Sequence, residues 1–271
     1  MLNKYLLFIS PHLDDVIFSL EEYINEMVKC NYKIIIATVF TESNLELLKI
    51  LKGDYFLYGN YKTRILEDIS AIKSIDENII IEHLNFPEEM FRKSNNINNS
   101  IINSIDKLVT KYNIEKIFFP LSIGNHVDHK IVYNLSFNYK DNLNVFYYFD
   151  YPYCTIDLNT KVYLSTLGYF ESIKLTDLYN FCWNPIYKSC PKIILLFKMF
   201  YNIFVYFLNF MYFLFVKSYD FDINIINIDI KRKYNVMLQY ETQINPIFGS
   251  SKNLYNLLLN NSYEKILQFK D

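Results

Sequence analysis

Over residues 4–149, short apolar runs alternate with segments of helical periodicity, and few architectures accommodate that order. The runs "KYLLFIS" (4–10), "KIIIATVF" (33–40), "NIIIEHL" (78–84), "KIFFP" (116–120) and "NVFYYF" (144–149) read as buried strands. Between them, "DDVIFSLEEYINEMVKCN" (14–31), "KTRILEDISAIKSI" (62–75), "NNSIINSIDKLVTKY" (98–112) and "HVDHKIVYNLSFNY" (126–139) read as helices, with Asp14 suited to cap the first. The alternation predicts an α/β fold: a Rossmann-like, mostly parallel sheet with flanking helices and right-handed crossovers. Ligands of such sheets bind in the crevice beyond the carboxyl ends of the strands. Further on, "INIINID" (223–229) predicts one more strand, followed by a helix over about 231–243. At 271 residues the chain suits one domain over 1–271, with an apolar insertion at about 190–220.

Several function classes are disfavoured. Lys and Arg number 27 against 29 Asp and Glu, a formal charge of −2, so the basic excess that nucleic acid demands is missing and no nucleic-acid partner is expected. Neither G-x-G-x-x-G nor G-x-x-x-x-G-K occurs, which argues against a nucleotide held by a glycine loop. Cys30, Cys154, Cys182 and Cys190 are scattered and form no C-x-x-C pair, so neither a disulfide framework nor a cysteine zinc cluster is signalled. The N-terminal apolar run is too short for a signal peptide, and a cytoplasmic location is expected.

Chemistry concentrates in two motifs. Three of the four histidines fall in "PHLDD" (11–15) and "HVDH" (126–129), each just after a predicted strand. A lone His-x-x-Asp ahead of a helix is ordinarily a cap beside a solvated histidine, but two such groups at strand carboxyl ends should converge. His12 and Asp15 are three apart across the turn, and His126 and His129 are three apart at a helix start. Two imidazoles and a carboxylate match a common catalytic zinc set whose fourth position is left to water. Asp14 and Asp15, being adjacent, point in different directions, so one can bind metal while the other handles protons. His83 has no such company and reads as structural.

The residues "SPHLDD" and "PLSIGNHVDH" resemble the two signature motifs of the PIG-L/LmbE-like family of zinc-dependent N-deacetylases, which act mainly on N-acetylglucosamine-containing molecules. "RILEDISAIKSI" (64–75) resembles that family's Arg-x-x-Glu-Asp helix, "HLNFPEE" (83–89) its Leu-x-x-Pro-Asp loop, "YFDYPYC" (148–154) its Tyr-Glu-Asp-x-Pro-Tyr stretch and "YETQ" (240–243) its Tyr-x-Ser-Gln. The resemblance implies that His12, Asp15 and His129 hold one Zn²⁺ or another divalent ion per chain. It implies that Asp14 is the general base that takes a proton from the attacking water, that protonated His126 steadies the oxyanion, and that Asp128 orients a histidine. Either Asp14 or His126 would then protonate the leaving amine. Val16 departs from the Glu common after the aspartate pair, and Glu88 stands where the family usually has Asp. Arg64 and Glu88 become candidate substrate contacts, although an arginine at a helix start can equally face solvent.

The implied activity is removal of acetyl from an N-acetylated amino sugar, which is then the partner to expect. The rival is a non-catalytic scaffold of the same fold in a glycan-synthesis complex at a membrane, which would need neither Asp14 nor His126. One segment bears on location. "IILLFKMFYNIFVYFLNFMYFLFV" (193–216) is long and apolar enough to span a bilayer, but the motifs before it and "YETQ" after it would then lie on opposite sides. Three readings remain: a core helix, a contact in a homo-oligomer, or, as the preferred one, a surface helix giving peripheral association with the cytoplasmic face of a membrane. Lys198, Asn202 and Asn209 share a bearing and could face headgroups or the protein body.

Overall fold

The structure is a computed structural model, and it describes residues 4–42, 60–92, 97–187 and 190–270. Strands β1 (Tyr5–Ser10), β2 (Lys33–Glu42), β3 (Ile80–Pro87), β4 (Ile114–Pro120), β5 (Asn144–Tyr148), β6 (Phe221–Asn227) and β7 (Tyr263–Phe269) form one sheet in the order β3-β2-β1-β4-β5-β7-β6. The first five pair in parallel, and β7 runs antiparallel to both β5 and β6. The parallel strands lack polar alternation because both faces of the sheet are covered. In β1, Leu6 and Phe8 enter one core while Leu7 and Ile9 enter the other.

The strand order reverses at β1. The chain moves outward through β2 and β3, then returns to place β4 on the other side of β1. A doubly wound sheet opens its crevice at such a switch point. Both histidine motifs follow strands that flank it: β1 leads to His12, and β4 leads to His126 and His129.

Helices α1 (Asp15–Lys29), α2 (Tyr61–Ile75), α3 (Asn98–Tyr112) and α4 (Val127–Leu135) lie where the periodicity predicts, within a few residues. Helices α5 (Asp157–Ser165), α6 (Leu175–Trp183) and α7 (Lys192–Phe213) follow, and α8 (Ile230–Met237), α9 (Glu241–Phe248) and α10 (Ser251–Asn260) come before β7. One core packs residues of α1, α2, α8, α9 and α10 against the sheet, and the other packs α3 and α4 against its opposite face.

Two departures from expectation have physical causes. The predicted helix over 231–243 is two helices, because Glu67 intervenes. Its carboxylate accepts from Thr242 N at 2.9 Å and from Thr242 Oγ1 at 2.6 Å, satisfying the first turn of α9. Beside it, Tyr240 donates to buried Asp68 at 2.9 Å, and the other Asp68 oxygen lies 3.2 Å from His83 Nε2. The Glu-Asp pair of α2 thus docks the C-terminal helices, and His83 is structural, as expected.

The second departure is the apolar segment over 193–216. The core-helix reading fails, because within α7 only Leu195 and Met199 are buried. They join a small cluster with Ile156, Leu158 and Phe181 of the preceding segments. Asn209 donates to Ser165 Oγ at 2.9 Å, so the asparagine side of α7 faces the protein body, while Lys198 at its margin reaches solvent.

Candidate active site

The turn after β1 uses its polar groups sparingly for its own construction. Asp14 occupies the N-cap position of α1, yet its side chain makes no capping hydrogen bond. The Ser10 hydroxyl accepts from Val16 N at 3.2 Å, and an Asp15 oxygen accepts from His12 N at 2.8 Å. Asp14 is therefore buried without the capping duty that its position suggests. Burial, then the charge of Asp15, pushes its carboxyl up to about 6. That value suits a group that must take and return a proton near neutrality.

His12, Asp15 and His129 converge, with one ligand atom from each within 4.8 Å of the others. Asp15 Oδ2 lies 3.2 Å from His12 Nδ1 and 3.2 Å from His129 Nε2. Each imidazole has its second nitrogen on a carboxylate: His12 Nε2 is 3.1 Å from Asp128, and His129 Nδ1 is 2.5 Å from Asp150. Carboxylates behind ligating histidines fix ring orientation and raise basicity, the usual outer shell of a metal site. The field here calls for positive charge. Burial opposes protonation of His129, yet Asp15 and Asp150 hold it up at about 10, and His12 is likewise held well above its ordinary value by Asp128 and Asp15. A divalent cation meets that demand and matches the donor set of two imidazoles and one carboxylate.

A second group, His12, Glu88, His126 and Asp128, is also close enough to share an ion. Its carboxylates already have cations. Asp128 pairs with Arg92 at 2.5 Å and accepts from Glu89 N at 3.0 Å, while Glu88 accepts from Tyr61 and lies 4.0 Å from Arg64. The buried first group is the better seat.

His126 plays a different part. It is the N-cap of α4, and its Nδ1 accepts from Asp128 N at 3.2 Å. Nε2 therefore carries the hydrogen of the neutral ring. Burial, then the neighbouring His12 and His129, lowers this histidine to about 4. In its neutral form His126 offers Nε2–H as a donor toward the cleft. Arg64 is buried rather than facing solvent: its guanidinium lies 3.6 Å from Asp14 and over the Tyr61 ring.

These groups line a cleft of about 410 Å³, walled further by Tyr151, Tyr153, Tyr187 and Gln243. Sequence reasoning singled out neither Asp150 nor Arg92. Asp150 follows β5, the strand next to β4, inside the quoted "YFDYPYC" stretch, and that position was its available signal. Arg92 follows the β3 loop with no diagnostic spacing.

The stretch 7–140, which contains both histidine motifs, matches the family described as PIG-L: GlcNAc-PI de-N-acetylase. Residues 7–140 form a PIG-L family domain. Asp150 and Gln243 lie beyond the matched stretch. No curated protein matches the chain. Among solved structures, the A40926 pseudoaglycone deacetylase is similar at 16% identity and a TM-score of 0.65, covering 98% of this chain and 96% of that one. A zinc-inhibited form of a teicoplanin deacetylase is similar at 14% identity and 0.65, covering 99% of each chain. A conserved protein from Thermus thermophilus is similar at 13% identity and 0.51, covering 99% of this chain and 94% of that one. At such identities the likeness establishes the fold.

The loop between β4 and α4 sets the height of His126. Gly124 sits at φ +103°, and a Cβ there would come within 2.6 Å of the Tyr153 ring. Gly124→Ala is expected to cost about 1–3 kcal/mol and lower Tm, by left-handed strain and by displacing a cleft wall. Thermal unfolding checks this, and an unchanged Tm would show that the loop relaxes freely.

Proposed function

We propose that the PIG-L domain is a metal-dependent N-deacetylase that hydrolyses the acetamide of an N-acetylated amino sugar of the N-acetylglucosamine type. The observation that carries this reading is the uncapped, buried Asp14 carboxylate beside a ligand set of His12, Asp15 and His129, all at one cleft. The family description supports the sugar, and the two similar deacetylases support the reaction class. The cleft volume lies in the range of small-molecule sites.

His12, Asp15 and His129 would hold the ion, which supplies Lewis-acid polarisation of the amide carbonyl and a more acidic water at neutral pH. Asp14 would take the proton from the attacking water as the water oxygen adds to the carbonyl carbon. His126 donates from Nε2 to the oxyanion, and Asp128 N holds the tautomer that makes this donation available. When the C–N bond breaks, Asp14 returns its proton to the amine, leaving acetate and the free amino sugar. Arg64, 3.6 Å from Asp14, keeps that carboxyl from rising further and can reach substrate hydroxyls from the cleft wall.

Metal content of the purified protein, with acetate release from a panel of N-acetylglucosamine derivatives, tests the reading. Because a similar structure is that of a zinc-inhibited deacetylase, the assay includes cobalt and manganese as well as zinc. Metal at about one per chain with acetate release supports the enzyme. Stable protein without acetate release under any of these ions would favour the scaffold, which has no use for Asp14. A smaller effect is expected at Asp150. Asp150→Asn replaces the carboxylate 2.5 Å from His129 by a neutral amide, and metal affinity should fall about 10–100-fold. Competition with a chelator measures it, and unchanged affinity would remove Asp150 from support of the ligand.

A further inference from the structure

Helix α7 is 22 residues long, and only 6% of its most apolar window is buried. Its inner side meets the body through Leu195, Met199, Asn209 and Tyr206, the last donating to Glu171 O at 2.6 Å. The opposite side presents Phe197, Phe200, Phe204, Phe207, Leu208 and Met211, each at least 41% exposed. Unpartnered apolar faces of this extent mark contact surfaces. On α6, Leu175, Tyr179 and Trp183 recur at four-residue spacing and are also exposed, and Lys192 Nζ sits 4.1 Å above the Trp183 ring at the start of α7.

Connectivity decides how such a helix can meet a bilayer. Strand β5 precedes α7, while β6 and β7 follow it, and β7 pairs with β5 in the same sheet. Both ends of α7 are therefore on one side, and its inner side is bonded to α5 and the following loop. It can lie on a membrane but not cross one. Charge then selects the occupant. Between Asp177 and Asp220 the sequence holds four lysines and no acidic residue, although the whole chain has a formal charge of −2. Lys192, Lys198 and Lys217 are exposed at the start, at the margin and just beyond the far end of α7, framing the apolar face rather than occupying it, as lysines do where they reach headgroups beside a buried face. An anionic headgroup layer attracts them, and Trp and Lys at the boundary suit that layer.

We infer that the outer face of α7, with the exposed stripe of α6, docks the protein on an anionic lipid bilayer as a monotopic surface helix. Ile186 and Tyr187, in the turn between these helices, also line the cleft, so docking surface and cleft share a wall. The inference goes beyond the deacetylase reading and does not depend on it.

The test is co-sedimentation of the full chain with vesicles of phosphatidylcholine alone and of phosphatidylcholine mixed with phosphatidylglycerol. Binding to the mixed vesicles should exceed binding to the neutral ones by about tenfold or more and weaken with added salt. The combined Phe204→Ser, Phe207→Ser and Leu208→Ser variant alters exposed positions only and should lower partitioning about 100-fold. Its circular dichroism and metal content should match the parent. A parent protein that stays in the supernatant with both vesicle types overturns the inference. So does a parent dimer that ignores vesicles and becomes monomeric in the triple variant, which would assign the face to a second copy. Acetate release is read separately, so failure here leaves the deacetylase reading standing.

Discussion

Asp14→Asn is expected to keep its metal and lose about 10²–10⁴ of its turnover, the usual cost of removing a positioned general base. The amide fills the same space but cannot accept a proton from water. None of the three ligands changes, because Asp15 faces the imidazoles while Asp14 faces Arg64 and the cleft. Stability should stay level or rise. The Asp14 carboxyl is pushed up to about 6 by burial and by the Asp15 charge, so its ionised form is disfavoured in the folded chain. An acid whose folded value is raised weakens the fold as pH climbs above its unfolded value, and the amide removes that penalty. A variant with parental metal content, an equal or higher Tm and lost acetate release fits a residue kept for chemistry. Near-parental turnover would take Asp14 out of the mechanism.

The parallel half of the fold was legible because each strand is a short apolar run and each helix carries its own period. Helix 98–112 matches its predicted bounds residue for residue, and β1, β2, β4 and β5 match to within two residues at either end. What escaped was the material between Asp157 and Trp183, helix α10 and the closing strand β7. In "YEKILQF" the residue facing α1 is Glu264, a carboxylate where a strand pattern expects an apolar side chain. Its presence there is tertiary in origin. Helix α1 breaks its helical geometry at Leu20, and the N–H groups of Glu22 and Tyr23 bond instead to Glu264 at 2.9 Å each, with Lys233 at 2.7 Å completing the pair. No local window contains that arrangement.

The site divides in the same way. Both motifs announced themselves because histidines are scarce and fall after strands. Asp150 and Arg92 contact His129 and Asp128 respectively, and such partners are recruited from whichever strand or loop folds alongside. The position of His126 was hidden for a related reason. Three-residue spacing suggests a face shared with His129 on one helix, but the helix begins at Val127, and His126 caps it from outside. That single step separates the two histidines chemically.

His129→Ala is therefore expected to abolish metal binding at ordinary concentrations, whereas His126→Ala should retain the ion and lower turnover by about 10²–10³, the cost of one lost oxyanion donor. His129 is buried, faces Asp15 through one nitrogen and is held by Asp150 through the other. Removing it leaves His12 and Asp15, too few protein ligands for a tight site. His126 has committed Nδ1 to the backbone of Asp128, and its lowered basicity leaves Nε2–H as a neutral donor toward the cleft. Metal content after dialysis and turnover with the ion in excess separate the two effects. Excess metal should restore part of the activity in neither variant: His129→Ala lacks the ligand geometry, and His126→Ala already holds its ion. Metal lost from His126→Ala but kept in His129→Ala would move the ion toward His12, Glu88, His126 and Asp128, the second cluster. Arg92 and Arg64 would then have to leave their carboxylates, and that outcome would overturn the assignment of Asp15 as a ligand.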